Sequence, residues 1–167
     1  MKQFKFPIVG ILVFIICLIH GDAYANSTPM LVIPRLMIDQ PIGEIALVNH
    51  IWDTADLGNG VAHLGTTGWI ENFTNTVLAG HYNLSNGQPG AFYRLSRISI
   101  GDWLWIVVGE RVFTYQITAI FTVDPNEVSV TYPVPGETAI SLITCSGDLV
   151  NGFYDKRLIV RGVLVQQ

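Results

Sequence analysis

Cysteine is nearly absent from this chain of 167 residues, which has only Cys17 and Cys145. Cys17 lies in an apolar stretch at the N-terminus, so one thiol serves everything that follows. An internal disulfide framework is therefore excluded. Charge is scarce too: Asp, Glu, Lys and Arg make up 13% of residues, and the formal balance is −4. No basic cluster follows Lys5. Phosphate binding draws its affinity from clustered cations, which excludes nucleic acid as a partner. No zinc-ligand spacing, P-loop or dinucleotide glycine fingerprint occurs.

Hydrophobic residues, by contrast, are half the chain, and the longest strongly apolar run is at its start. Met1-Lys-Gln-Phe-Lys5 is basic, residues 6–19 are apolar and uncharged, and Ala23-Tyr-Ala25 offers small residues. That order describes a secretory signal. The apolar run is shorter than the roughly 20 residues that a spanning helix needs. Residues 1–25 are thus expected to be a signal peptide, with an N-terminal membrane anchor through residues 6–19 as the alternative. Ile15 and Ile16 precede Cys17 where lipid attachment needs small residues. The remainder is expected to work outside the cytoplasm, secreted or held at the outer face of the cytoplasmic membrane.

Residues 26–167 are long enough for one domain with a real core. Strand patterns follow one another at 31–38 (broken at Pro34), 42–48, 74–80, 103–108, 111–123, 139–145 and 157–165. Residues 39–41 suggest a turn. Residues 49–68 look irregular, with one helical turn near 55–61, and 91–97 are expected to form one short helix. The stretches 124–138 and 146–155 are expected to be loops. Trp52 and Trp69 should cover the core from outside. Many closely spaced strands and one or two short helices argue for an all-β barrel or sandwich.

Ser141-Leu-Ile-Thr-Cys145 is a strand pattern that delivers the second thiol to a loop opened by Gly147. A thiol nucleophile needs a partner for its proton and donors for the charge that develops on a carbonyl oxygen. His81 follows the strand ending at Gly80, and Arg157 opens the last strand. If the last two strands pair around residues 146–155, Arg157 comes beside Cys145, and a barrel rim gathers all three side chains. Arginine suits an oxyanion because it stays charged and carries fixed donors. Spacing alone leaves other readings open: a buried thiol that only packs, a structural histidine, and an arginine in a surface ion pair.

These segments resemble one family. Thr76-Val-Leu-Ala-Gly-His81 is similar to the histidine segment of sortases. Ser141-Leu-Ile-Thr-Cys145 resembles their Thr-Leu-x-Thr-Cys segment, with serine for the first threonine, and Lys156-Arg-Leu-Ile-Val-Arg161 resembles their arginine-bearing last strand. Ile33-Pro-Arg-Leu-Met-Ile-Asp-Gln-Pro-Ile42 and Gly60-Val-Ala-His-Leu-Gly65 fit earlier parts of the same pattern. The resemblance spans residues 31–165, and class D- or E-like variants are nearest.

It implies a closed eight-stranded β-barrel and a cysteine transpeptidase that needs no cofactor. Such enzymes cleave a sorting motif near the C-terminus of exported proteins through a thioacyl intermediate. They pass the acyl group to an amine, such as cell-wall peptide or a pilin lysine, in surface-protein anchoring or pilus assembly. Carried over, Cys145 is the nucleophile and His81 the general acid and base. Arg157 steadies substrate and oxyanion, and Thr144 contacts substrate nearby.

Weaker candidates remain beside these. Arg161 shares a strand face with Arg157 and is its alternative. His63 is expected either to line the groove or to sit in a surface loop, and His50 to be structural or exposed. Asp124, Glu127 and Glu137 are solvated carboxylates or a calcium site; calcium wants six or more oxygens. Asp148 or Asp155 would orient Arg157. Two functional alternatives stand beside transpeptidation: the same fold acting mainly as a hydrolase, and a secreted β-barrel binding module with a structural thiol.

Overall fold

The computed structural model describes residues 27–49, 51–70 and 74–167. The expectations for residues 1–25, Cys17 and His50 lie outside the described residues. Among the described residues ten strands follow in order: β1 (Met30–Ile33), β2 (Ile38–Ile45), β3 (Leu47–Val48), β4 (Ile51–Trp52), β5 (Val61–Leu64), β6 (Asn75–Gly80), β7 (Trp103–Val108), β8 (Arg111–Val123), β9 (Ala139–Val150) and β10 (Phe153–Gln166). Eight of them close into a barrel in the order β1-β2-β5-β6-β9-β10-β8-β7, and β3 and β4 form a separate two-stranded ribbon. Closure removes the open edges that a flat sheet would expose. No described helix is long and apolar enough to cross a membrane.

Strand alternation builds the barrel's interior. Leu31 and Ile33, Leu104 and Ile106, Phe113, Tyr115 and Ile117, Ile140 and Leu142, and Leu158 and Val160 all belong to one buried cluster. Each pair is two residues apart on its strand, the spacing that puts side chains on one face. A smaller cluster covers part of the other face. In it Leu64, Val77 and Ala79 pack with Ile45, Ile143 and Trp52. Trp69 packs against the main core instead.

Several expected boundaries move, each for a physical reason. The pattern at 31–38 is a hairpin rather than one strand. Pro34 opens a 3-10 turn over Pro34–Leu36, Met37 takes a left-handed φ of 56°, and β1 then pairs antiparallel with β2. The turn expected at 39–41 lies inside β2, where pairing with β5 begins only at Ile42, beyond Pro41. β5 itself falls in the stretch expected to be irregular. All four of its residues are buried, so it shows none of the alternation that marks a half-exposed strand.

Residues 91–97 form turns ending in a 3-10 turn at Leu95–Arg97, not an α-helix. Phe92 and Leu95, three apart, are fully buried, and 3-10 geometry eclipses that spacing as well as a helix would. The loop expected at 146–155 is a hairpin that continues β9 and β10. Asn151 and Gly152 turn it with φ of 51° and 85°, the paired positive values that an Asn-Gly turn supplies.

Candidate active site

Cys145, His81 and Arg157 come from three strands that are neighbours in the barrel. β6 runs parallel to β9 with Ala79 opposite Ile143, so two more residues bring His81 level with Cys145. β10 runs antiparallel to β9 with Arg157 directly opposite Cys145. The face is set by alternation: Leu142 and Leu158 point into the core, whereas Ile143 packs in the outer cluster. Cys145 follows Ile143 by two and shares its face. The three side chains therefore meet on the barrel's outer wall, not at the rim expected from the sequence.

They line a groove of about 290 Å³. Leu64, Ala79, Ile143 and Ile159 form its apolar floor, Trp52, Thr54 and Leu57 one wall, and Val128, Val130 and Thr131 the other. A depression over β2 and β5 of about 530 Å³ has Glu44 and Asp53, but neither thiol nor histidine, among the described residues that line it. The smaller groove is the one with a nucleophile.

Local packing holds His81 in place. Gly80 passes under Phe92, whose ring would lie 2.7 Å from an added Cβ, and a Cβ on Gly90 would collide with the His81 main chain. The Phe92 amide donates to the His81 carbonyl at 3.0 Å. The imidazole Nε2 lies 3.1 Å from the Thr54 carbonyl oxygen. A carbonyl only accepts, so Nε2 carries a proton and Nδ1 is the nitrogen left to exchange one. Arg157 Nη1 donates to the carbonyls of Tyr154 at 3.2 Å and Lys156 at 3.0 Å. Among the described residues its Nε and Nη2 take no partner, which leaves donors for a ligand.

A model of the sortase domain matches residues 31–165. The chain belongs to the sortase family. Members of that family are cysteine transpeptidases. The chain is 26% identical over 137 residues to sortase D of Bacillus subtilis strain 168, covering 82% of this chain and 63% of that protein. In structure it is similar to sortase C-1 of Actinomyces oris, with a TM-score of 0.70 at 29% identity over 86% of this chain and 77% of the other. A lid mutant of sortase A from Corynebacterium diphtheriae gives a TM-score of 0.68 at 29% identity, over 84% of this chain and 71% of the other. These relatives carry three different class names, and the class D- or E-like reading stays an expectation.

The other candidate residues of the sortase domain have different surroundings. Thr144 borders the groove, but its hydroxyl is buried without a partner among the described residues. Alternation puts that side chain on the face of Leu142, opposite Cys145, so what Thr144 can offer substrate is main chain. Asp155 does not orient Arg157: its carboxylate accepts the Asp148 amide at 2.8 Å. Arg161 is no substitute for Arg157. Four residues along β10, it donates to the Ser141 hydroxyl and the Val130 carbonyl, and burial pushes its pKa down, with Glu137 opposing. Asp124 pairs with Lys156. The Glu127 carboxylate accepts hydrogen bonding from Ser129, which holds it below the usual carboxylate range. Among the described residues, no group of three or more His, Cys, Asp or Glu is placed to hold a metal ion.

His63 lies neither in the groove nor on the surface. It is 9% exposed on β5, and its ring packs 4.8 Å from that of Trp69. Nε2 is 3.0 Å from both the Gly68 carbonyl and the Thr67 hydroxyl. The Thr67 proton goes to the Leu64 carbonyl, so His63 is the donor.

Burial pushes the His63 pKa below 6.5, an effect partly offset by the Gly68 bond and Glu44. Between that lowered value and about 6.5, the unfolded chain binds more protons than the folded one. His63's contribution to stability is therefore whole above about 6.5 and is lost as pH falls through the folded value. Melting temperature should drop between pH 7.5 and 5.5, and His63→Gln should flatten that part of the profile. An unchanged slope in the variant would assign the drop to other groups.

Proposed function

We propose that this chain is a cysteine transpeptidase that cleaves a sorting motif near the C-terminus of exported proteins and transfers the acyl part to an amine. The observation that carries the reading is the register: Arg157 faces Cys145 across one ladder, and His81 comes level with it across the other. All three sit at one apolar groove suited to an extended peptide.

Cys145 passes its thiol proton to His81 Nδ1 as Sγ attacks the scissile carbonyl carbon of the motif, and the carbon–sulfur bond forms as the π electrons move to oxygen. Arg157 donates to that oxyanion through its unpartnered nitrogens, and the adjoining main chain at Thr144 adds contact with substrate. Collapse breaks the carbon–nitrogen bond, and His81 Nδ1 delivers the proton that the leaving amine needs. The thioacyl enzyme is then attacked by the incoming amine, and His81 takes back a proton. Cys145 leaves as the amide forms and regains its proton from His81. Atoms and protons balance over the two halves, and neither half uses a cofactor.

The acceptor is an amine such as cell-wall peptide or a pilin lysine, in surface-protein anchoring or pilus assembly. The protein works outside the cytoplasm, secreted or held at the membrane through residues 6–19. The apolar run and small-residue site at the N-terminus support this.

The test is a peptide library incubated with the protein, with and without an added primary amine, and read by mass spectrometry. Expected is cleavage at one motif, with the amide product dominant when amine is present. Hydrolysis that ignores the amine would favour the hydrolase reading. No cleavage, together with no labelling of Cys145 by a vinyl sulfone, would leave a binding module.

A further inference from the structure

The same three strands carry a second set of polar side chains at the other end of the groove. On β9, Ser141 precedes Cys145 by four residues. On β10, Arg161 follows Arg157 by four, and it pairs directly with Ser141. On β6, Asn75 precedes His81 by six. Even spacings keep each pair on one face, so the outer wall has reactive side chains at one end, polar ones at the other, and the apolar floor between.

The polar end closes a ring of hydrogen bonds. Arg161 Nε donates to Ser141 Oγ at 3.1 Å, and Ser141 Oγ donates to Asn75 Oδ1 at 2.9 Å. Asn75 Nδ2 donates to the Val130 carbonyl at 2.9 Å, and Arg161 Nη2 reaches the same oxygen at 3.0 Å. The second Asn75 amide hydrogen goes to the Tyr132 carbonyl at 3.1 Å. Ser141 and Asn75 are 0% and 1% exposed. The serine has one hydrogen to give, the amide has two, and the Val130 oxygen has two lone pairs; all are used. Phe121 lies under the guanidinium, 5.6 Å away.

Every bond that leaves this ring ends on one segment, the 3-10 turn Val128–Thr131 and the residue after it. That turn is the groove's far wall. We propose that Asn75, Ser141 and Arg161 are positioning residues that hold this wall over the floor at the width the acyl substrate needs. They touch neither the thiol nor the imidazole. Their effect reaches the reaction through binding, and that kinetic consequence rests on the transpeptidase reading.

Arg161→Met should raise KM for a cleaved sorting peptide about tenfold or more while kcat stays within about threefold. Alkylation of Cys145 by a small vinyl sulfone, which needs no wall, should proceed at the wild-type rate. Amide hydrogen exchange over 127–132 should speed up in the variant. Asn75→Asp, which turns a donor into an acceptor facing two carbonyls, should give the same split. Should either variant fail to fold, Ser141→Ala removes only the relay hydroxyl and should give a smaller rise in KM with kcat held.

An unchanged KM with unchanged exchange overturns the proposal. So does a parallel fall in kcat and alkylation rate, which would put Arg161 in the catalytic centre. If the wild-type protein cleaves no peptide, the transpeptidase reading fails by itself. Exchange over 127–132 then still decides the clamp: faster in Arg161→Met supports it, and equal rates refute it.

Discussion

Cys145→Ala is expected to remove peptide cleavage altogether, a loss on the order of 10⁵-fold or more, while the barrel stays folded. In the proposed mechanism the thiol is the atom that bonds to the acyl carbon, and nothing else at the groove can replace it. It is the only cysteine among the described residues, and it is only partly buried. Trimming it to a methyl group on the outer wall opens no cavity in the barrel core, so stability should change by no more than about 1 kcal/mol. The measurement is turnover of the library-derived peptide beside a thermal melt. Vinyl-sulfone labelling should vanish together with cleavage. Added amine should not restore turnover, because the missing step precedes its attack. A variant that keeps more than a hundredth of wild-type turnover with an intact melt would rule out thiol catalysis.

Arg157→Lys comes next in size. Lysine keeps the charge but replaces a fork of fixed donors by a single ammonium on a flexible stem. Arg157 is already held by two carbonyls through Nη1, which aims its remaining nitrogens. A lysine in that place has nothing comparable to aim it. Loss of an oxyanion donor typically costs about 10²- to 10³-fold in kcat, or roughly 3–4 kcal/mol. That loss is expected here, with KM moving much less, because the oxyanion exists only along the reaction path. Steady-state kinetics on Arg157→Lys and Arg157→Met should give similar kcat values. If lysine alone restores near-wild-type turnover, charge rather than the donor fork is what the site uses.

Much of the barrel was legible beforehand. β8 has the bounds expected from its alternation, and β7 those expected from its apolar run. Those strands have turns at both ends and one consistent pattern between. β5 was not legible, because a strand buried on both faces has no period to read. The β9–β10 hairpin was legible in principle. Asn151-Gly152 is a strong turn signal, but the polar residues around it resemble a loop. The role of residues 91–97 as packed turns was hidden by a spacing that several conformations share.

The sequence by itself determined the chemistry on offer: a thiol, an imidazole and a guanidinium, each following or opening a strand pattern. It did so because reactivity belongs to the side chain, and because two-residue periodicity shows where strands run. Only the tertiary structure decided that the three are level, and that they stand on the outer wall rather than the rim. It also decided which imidazole nitrogen is free and that Arg157, not Arg161, faces the thiol. The reason is register. β6 meets β9 side by side in parallel, a pairing no local turn can set. It is fixed by the packing of the whole closed barrel, and a shift of one residue would turn Cys145 into the core.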